Sequence, residues 1–240
     1  MRIALLLVAL IGIAAAPSPK AAPKPILSPG EIAAAAPAAA WHQIEPENLL
    51  VMTLASGKRF AIELAPDFAP VHVANIRALA RAGWFDGAFV VRVQDNYVVQ
   101  WAGADEAKPL PPAVVAHPPA EYDRPVAGLV PRWLPYPDPY AKQAGHADGW
   151  PVASDGRRAW LPHCYAMVGV GRDMPPDSGS GAELYAVIGQ APRHLDRNIA
   201  VVGRIVEGIE ALSALPRGTG ALGFYEDPAQ RSAIRDIRLA

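Results

Sequence analysis

Two stretches of this chain alternate apolar and polar residues about a short polar turn, and they restrict the fold more than any other feature. Residues 49–65, LLVMTLASGKRFAIELA, place two such runs around Ser56-Gly57-Lys58, and residues 87–103, GAFVVRVQDNYVVQWAG, do the same around Asp95-Asn96. A period of two sends alternate side chains to opposite faces of a strand, and a turn of a few polar residues joins neighbouring strands antiparallel. Strand-like runs return in CYAMVGVG (164–171), AELYAVIG (182–189), IAVVGRIV (199–206) and SAIRDIRLA (232–240). Helical spacing occurs in VHVANIRALARAG (71–83), where Val73, Ile76, Leu79 and Ala80 share a face. There Pro70 suits the first turn and Gly83 the stop. A shorter helix, EGIEALSAL (207–215), ends at Pro216. No strand–helix–strand rhythm runs through the chain, so the expectation is a mainly β, antiparallel barrel with its ends capped by two α-helices.

The flanks of this pattern set the domain limits. MRIALLLVALIGIAAA, residues 1–16, carries one positive charge at Arg2 and an apolar run of 14 residues, the form of a secretory signal peptide and too short to span a bilayer. An uncleaved anchor is the alternative. Residues 17–40 are low in complexity and rich in Ala and Pro, and read as a flexible linker. Residues 41–240 remain as one domain with a full core. Inside it, residues 106–162 hold 12 of the chain's 26 prolines, among them those of PRWLPYPDPY, and read as a long Pro-rich insertion loop. The leader implies export, with a bacterial periplasm as the expected compartment, no integral membrane span after cleavage and a monomer as the expected state.

Charge and composition exclude several classes. A net charge of −1 offers nothing basic enough to attract nucleic acid or an anionic membrane. The single cysteine, Cys164, precludes an internal disulfide and reads as a small buried hydrophobe. The histidines at 42, 72, 117, 146, 163 and 194 show no metal-ligand spacing, so neither metal nor cofactor is expected. PDSGSG (176–181) shares Asp-Ser-Gly with trypsin-like proteases but has no properly spaced histidine, and a polar turn explains it better. A phosphate loop around Gly169 and Gly171 lacks the following Gly-Lys-Ser/Thr and is interrupted by Pro175 and Pro176.

Arg92 is the unusual residue of the second hairpin. With a three-residue turn at Asp95-Asn96-Tyr97, Arg92 faces Gln100 and shares a surface with Gln94 and Val98; with a two-residue turn it faces Val99 instead. One reading is a solvated barrel exterior. The other is a site, because a guanidinium, a carboxamide and an aromatic ring meet within a few residues.

Taken together, IELAPDFAPVHVANIRALARAGWFDGAFVVRVQDNYVVQWAG resembles the first half of a cyclophilin-type peptidyl-prolyl cis-trans isomerase. The resemblance rests on Ala69-Pro70, Asn75, Gly83, Phe85-Asp86-Gly87, Phe89, Arg92-Val93, Tyr97 and Gln100, and resumes in HLDRNIAVVGRIVEGIEAL. It covers residues 47–105 and 163–240. It implies a closed eight-stranded antiparallel barrel and an enzyme acting on proline-containing segments of exported proteins. By resemblance Arg92 is the catalytic donor and Gln100 binds substrate backbone, while Tyr97, Val98, Tyr185 and Leu195 wall a proline pocket. The substrate-binding set is completed by Val168, Glu183, His194 and Ile199, and these last positions depart from the family pattern. Val91 replaces a usual histidine, Glu183 a glutamine, Tyr185 a phenylalanine, His194 a pocket aromatic, Ile199 a pocket histidine, and Val168-Gly169 an Ala-Asn pair. Such departures favour a competing expectation, a module that grips proline segments without turning them over.

Overall fold

In the computed structural model, which describes residues 26–103 and 108–240, the chain divides into two compact units, Met1–Gln43 and Ile44–Ala240. The leader expected at residues 1–16 lies outside the described residues, as does the beginning of the expected linker. The described part of that linker contains helix α1 (Pro29–Ala34), which buries none of its residues. Its order is local: the Ser28 hydroxyl accepts from the Glu31 N–H at 3.3 Å while Glu31 accepts from the Ser28 N–H at 2.7 Å, a reciprocal cap behind Pro29. Among the described residues no helix is long and apolar enough to cross a membrane.

The second unit begins with the expected hairpin, β1 (Leu49–Leu54) and β2 (Arg59–Leu64), followed by α2 (Pro70–Arg81), β3 (Phe89–Val93) and β4 (Val98–Ala102). An inserted region then carries β5 (Arg124–Pro125), β6 (Arg132–Trp133), β7 (Gln143–Ala147), β8 (Trp150–Ser154) and β9 (Arg158–Trp160). The chain finishes with β10 (Met167–Val170), β11 (Leu184–Val187), β12 (Val201–Glu207), the short helix α3 (Glu210–Ser213) and β13 (Ser232–Leu239). Eight strands close a barrel in the order β1-β13-β3-β4-β11-β10-β12-β2, every neighbour antiparallel.

Alternation fills the barrel. Leu50, Met52 and Leu54 of β1 and Phe60, Ile62 and Leu64 of β2 are all buried in one core, where Phe60 meets Trp101 edge-on with ring centroids 6.2 Å apart. Helix α2 adds Val73, Ile76, Leu79 and Ala80 to the same core, the face its spacing specifies.

The inserted region differs from the loop expected of it. Its strands form a second sheet, ordered β5-β9-β8-β7-β6. These strands are two to five residues long, too short for alternation to register, and Pro125 sits on an edge strand, where a missing N–H breaks no ladder. Ala147, Val152 and Leu161 of this region pack with Val98, Met167, Tyr185 and Val187 in a second core on the outside of the barrel. The wall formed by β4, β11 and β10 is therefore covered on both faces, which is why its sequences are nearly continuous apolar runs.

The insertion is also tied to α2. The helix has no side-chain cap at Ala69, and Glu121 of the insertion supplies one. Its carboxylate accepts from the backbone N–H groups of Val71 and His72 at 3.0 Å each, and from His72 Nδ1 at 2.6 Å. Asn75 in turn exchanges two hydrogen bonds with the backbone of Val115. Burial raises the Glu121 carboxyl, but the bonds from His72 and the helix amides outweigh it, and its pKa falls below the ordinary value of 4.5. A depressed carboxyl stabilises the fold above its unfolded pKa and loses that contribution as pH falls through the native one. Glu121→Ala should cost about 1–3 kcal/mol in urea unfolding at pH 7. The gap from wild type should close as the pH is lowered below about 4.5.

Candidate active site

Two local features of the β3–β4 hairpin decide which side chains face outward. At the turn Asn96 takes a left-handed conformation, φ +52°, and Gln94 N–H bonds to Val98 O at 2.9 Å, so the loop holds three residues. In β3 a bulge at Val91 shifts the register between Val90 and Arg92. The loop sets Arg92 opposite Gln100 and the bulge beyond it pairs Val90 with Trp101, and the ladder continues with Gln100 opposite Tyr185 and Tyr185 opposite Gly169. A row of four neighbouring positions thus crosses β3, β4, β11 and β10 on the outer face of the barrel.

Arg92 is fixed by three neutral acceptors. Its Nε donates to the Leu222 carbonyl at 2.6 Å, Nη1 donates to Gln100 Oε1 at 3.1 Å, and Nη2 donates to Gln94 Oε1. The guanidinium also lies over the rings of Tyr97 and Phe224, 5.3 and 5.2 Å from their centroids. Partial burial draws its pKa down, while Tyr97, Glu183 and Tyr185 act the other way. Gln100 donates from Nε2 to Glu183 Oε1, so Glu183 braces the carboxamide that braces Arg92.

A cavity of about 130 Å³ opens in front of this row, lined by Arg92, Tyr97, Val98, Gln100, Gly171, Arg172, Tyr185, Leu195 and Ile199. His194 stands behind Tyr97: the rings stack at 5.7 Å, the phenol lies 3.2 Å from Nε2, and Nδ1 lies 2.7 Å from the Ala191 carbonyl. That arrangement has Nδ1–H donating to the carbonyl and Nε2 accepting from the phenol. Tyr97 loses solvent there, which raises its pKa against the pull of Arg92. Tyr185 is buried, its pKa well above normal for that reason, and its hydroxyl lies 2.8 Å from His163 Nε2. Glu183 and His194 are thus supporting residues, whereas the other sequence-derived candidates except Val168 line the cavity.

Val168 is placed elsewhere. It is fully buried in the barrel core, with β11 on one side and β12 on the other. Strand alternation sends Val168 and Val170 inward and leaves Gly169 facing Tyr185. A methyl group at Gly169 would come within 2.3 Å of Tyr185 Cζ, so the ring lies directly on this glycine. Four contributors escaped the sequence reading: Gly171 and Arg172 on the cavity wall, and Leu222 and Phe224 around the guanidinium. The last two lie some 130 residues from Arg92, and one of them acts through a carbonyl that carries no side-chain signal. Cys164 is half-buried, and burial raises its thiol pKa, which disfavours the thiolate. Among the described residues no group of three or more His, Cys, Asp or Glu side chains could hold a metal ion.

A positively charged fork, a braced carboxamide and a small cavity thus meet on the outside of an eight-stranded barrel. Residues 49–238 match the family model described as cyclophilin type peptidyl-prolyl cis-trans isomerase/CLD, and the chain belongs to that family. It is a peptidyl-prolyl cis-trans isomerase, and its substrates are proline-containing chains. A probable peptidyl-prolyl cis-trans isomerase of Brucella suis biovar 1 is 26% identical over 182 residues, covering 74% of this chain and 76% of that one. Among solved structures, cyclophilin AquaCyp293 from Hirschia baltica superposes with a TM-score of 0.67 at 26% identity, covering 83% of this chain and 76% of that chain. A cyclophilin-type isomerase of Cryptosporidium parvum, solved in the presence of the dipeptide Ala-Pro, shares the fold at 11% identity with a TM-score of 0.50, covering 80% of this chain and 98% of that chain.

The contact between Tyr185 and Gly169 gives a direct test of the cavity floor. Gly169→Ala should displace the ring, lower stability by about 1–3 kcal/mol and weaken binding of an Ala-Pro peptide, read by NMR titration. Unchanged peptide affinity would remove Tyr185 from the binding surface.

Proposed function

We propose that Arg92 is the catalytic donor of this isomerase and that the cavity beside it receives the proline ring. Rotation about an X-Pro bond meets a barrier of about 18–20 kcal/mol from amide resonance. Uncatalysed exchange takes roughly tens to hundreds of seconds. No bond breaks, so the site needs only to favour the twisted amide over the planar one. Twisting localises a lone pair on the proline nitrogen, and a fixed donor aimed at that nitrogen, or holding the carbonyl oxygen, stabilises the twisted state. Arg92 suits this role: among the described residues three of its five N–H groups are engaged, which leaves two for the substrate. The observation that carries this reading is the row Arg92–Gln100–Tyr185, three adjacent strands presenting donor, brace and cavity wall on one surface.

The hold of Glu183 on Gln100 supports a second reading. With Oε1 accepting from Arg92 and Nε2 donating to Glu183, the carboxamide has less capacity left for substrate backbone, as a slow-turnover holder of proline segments would show. The two readings separate on the same measurement.

The apolar leader at residues 1–16 supports clients that are themselves exported, in a bacterial periplasm. Cell fractionation should recover the chain from the periplasm shortened by its leader. Recovery of the full-length chain in the cytosol would refute export.

Arg92→Ala should lower kcat/KM on a short Ala-Pro peptide about 10²–10³-fold, measured by NMR exchange without a coupling protease. Its stability should fall by only about 1 kcal/mol, because the three acceptors can turn to water. Retained peptide binding without any wild-type acceleration would establish the holder instead.

A further inference from the structure

Behind the cavity a buried polar chain joins the insertion to two of the cavity's walls. Tyr185 is 4% exposed, and its hydroxyl and ring are both held by His163: the phenol lies 2.8 Å from Nε2 and the rings stack at 6.1 Å with their planes 15° apart. His163, itself wholly buried at the end of the insertion, is fixed by Asp196, which lies 3.1 Å from Nδ1 and accepts from the His163 N–H at 2.8 Å. This geometry has Nδ1–H donating to the carboxylate and Nε2 accepting the phenolic proton. Asp196 Oδ2 accepts in addition from Arg193 Nε at 3.0 Å and from Trp160 Nε1 at 3.3 Å. Arg193 then forks onto Asp138 of the insertion, at 2.8 and 3.0 Å. Burial raises the Asp196 carboxyl, but the bonds from His163 and Arg193 more than offset it and keep the group a carboxylate.

A phenylalanine at position 185 would fill the same place and require none of these buried partners. A phenol there gains something different, a fixed position. Its ring is trapped between Gly169 and His163, and it meets the substrate cavity. Arg193 meanwhile immediately precedes His194 and Leu195, so Asp196 and Asp138 anchor the opposite wall from the same network.

We propose that His163, oriented by Asp196, is a positioning residue for the isomerase. It holds Tyr185 against the proline cavity and joins that wall, through Asp196 and Arg193, to the segment bearing His194 and Leu195. The insertion thereby sets the shape of the substrate site. The inference rests on the assignment of the cavity as the proline pocket. A fixed wall contributes to the planar substrate and the twisted state alike, so its loss should appear in KM rather than kcat.

The test compares the full-length chain with Tyr185→Phe, His163→Ala and the double variant, using NMR exchange on a short Ala-Pro peptide over a range of concentrations with thermal melts alongside. Each single variant should raise KM about threefold to tenfold and leave kcat within about twofold. The double variant should be no worse than the poorer single, because both remove one interaction. Tyr185→Phe keeps the ring and decides the question if His163→Ala does not fold. A Tyr185→Phe protein with wild-type KM, or single effects that simply add, would overturn the positioning role while leaving the isomerase intact. A folded wild type that does not accelerate exchange would overturn the pocket assignment, and this inference with it.

Discussion

The register between β3 and β4 is the constraint on which the site depends. Strand side chains alternate, so a slip of one residue would turn Arg92 toward the barrel core and Val91 or Val93 toward substrate. Asn96 in its left-handed turn and the bulge at Val91 prevent that slip. The same turn reaches the far side of the cavity. Asn96 accepts from Gln190 N–H through its side chain at 2.9 Å, and from Ala191 N–H through its carbonyl at 3.3 Å. Gly189 lies so close that a Cβ would stand 2.2 Å from the Asn96 carbonyl carbon. One turn therefore sets the outward face of Arg92 and Gln100, and it also locates the start of the Ala191–Leu195 segment that brings His194 and Leu195 to the pocket.

Covering the outer barrel wall changes what residues that wall can carry. The insertion packs Ala147, Val152 and Leu161 against Val98, Met167, Tyr185 and Val187, all largely buried. In such surroundings a hydroxyl must find a partner or cost about 1–3 kcal/mol. Tyr185 finds one in His163, the residue directly after the insertion, held by the same Asp196 that accepts from Trp160 of the insertion. Tyr185 and the insertion are thus connected through His163 and Asp196. Glu121 performs a comparable task for α2, closing its open N-terminus with a carboxylate borrowed from the insertion.

Features with a short, regular period are legible in the sequence, and features made by distant contacts are not. The two hairpins and the buried face of α2 follow from spacing within a few residues, whereas the Arg92–Gln100 pairing is one of two registers the spacing allows, and the three-residue turn at Asp95-Asn96-Tyr97 selects it. The second sheet does not follow from spacing, because strands of two to five residues interrupted by proline leave no alternation to read. Val168 was placed at the site by resemblance, yet alternation along β10 turns it into the core and brings Gly169, Gly171 and Arg172 forward instead. The Leu222 carbonyl is part of the backbone, so no choice of side chain could have announced its bond to Arg92.

That carbonyl explains why the glycine-rich run Gly218–Gly223 lies where it does. Leu222 adopts a left-handed conformation, φ +55°, followed by Gly223 at +80°. A Cβ on Gly223 would stand 2.7 Å from the Gln94 Cα, so the loop can approach the hairpin this closely only with glycine there. The approach delivers a neutral acceptor to Arg92 Nε and the Phe224 ring to the face of the guanidinium. A carboxylate in the same place would hold the fork equally well but would neutralise its charge. Two carboxamides, a carbonyl and two aromatic rings instead fix its direction and leave its charge intact. Glu183 is kept one step back, behind Gln100. The arrangement thus separates orientation from charge: neutral groups aim the guanidinium, and its positive charge stays at the cavity wall.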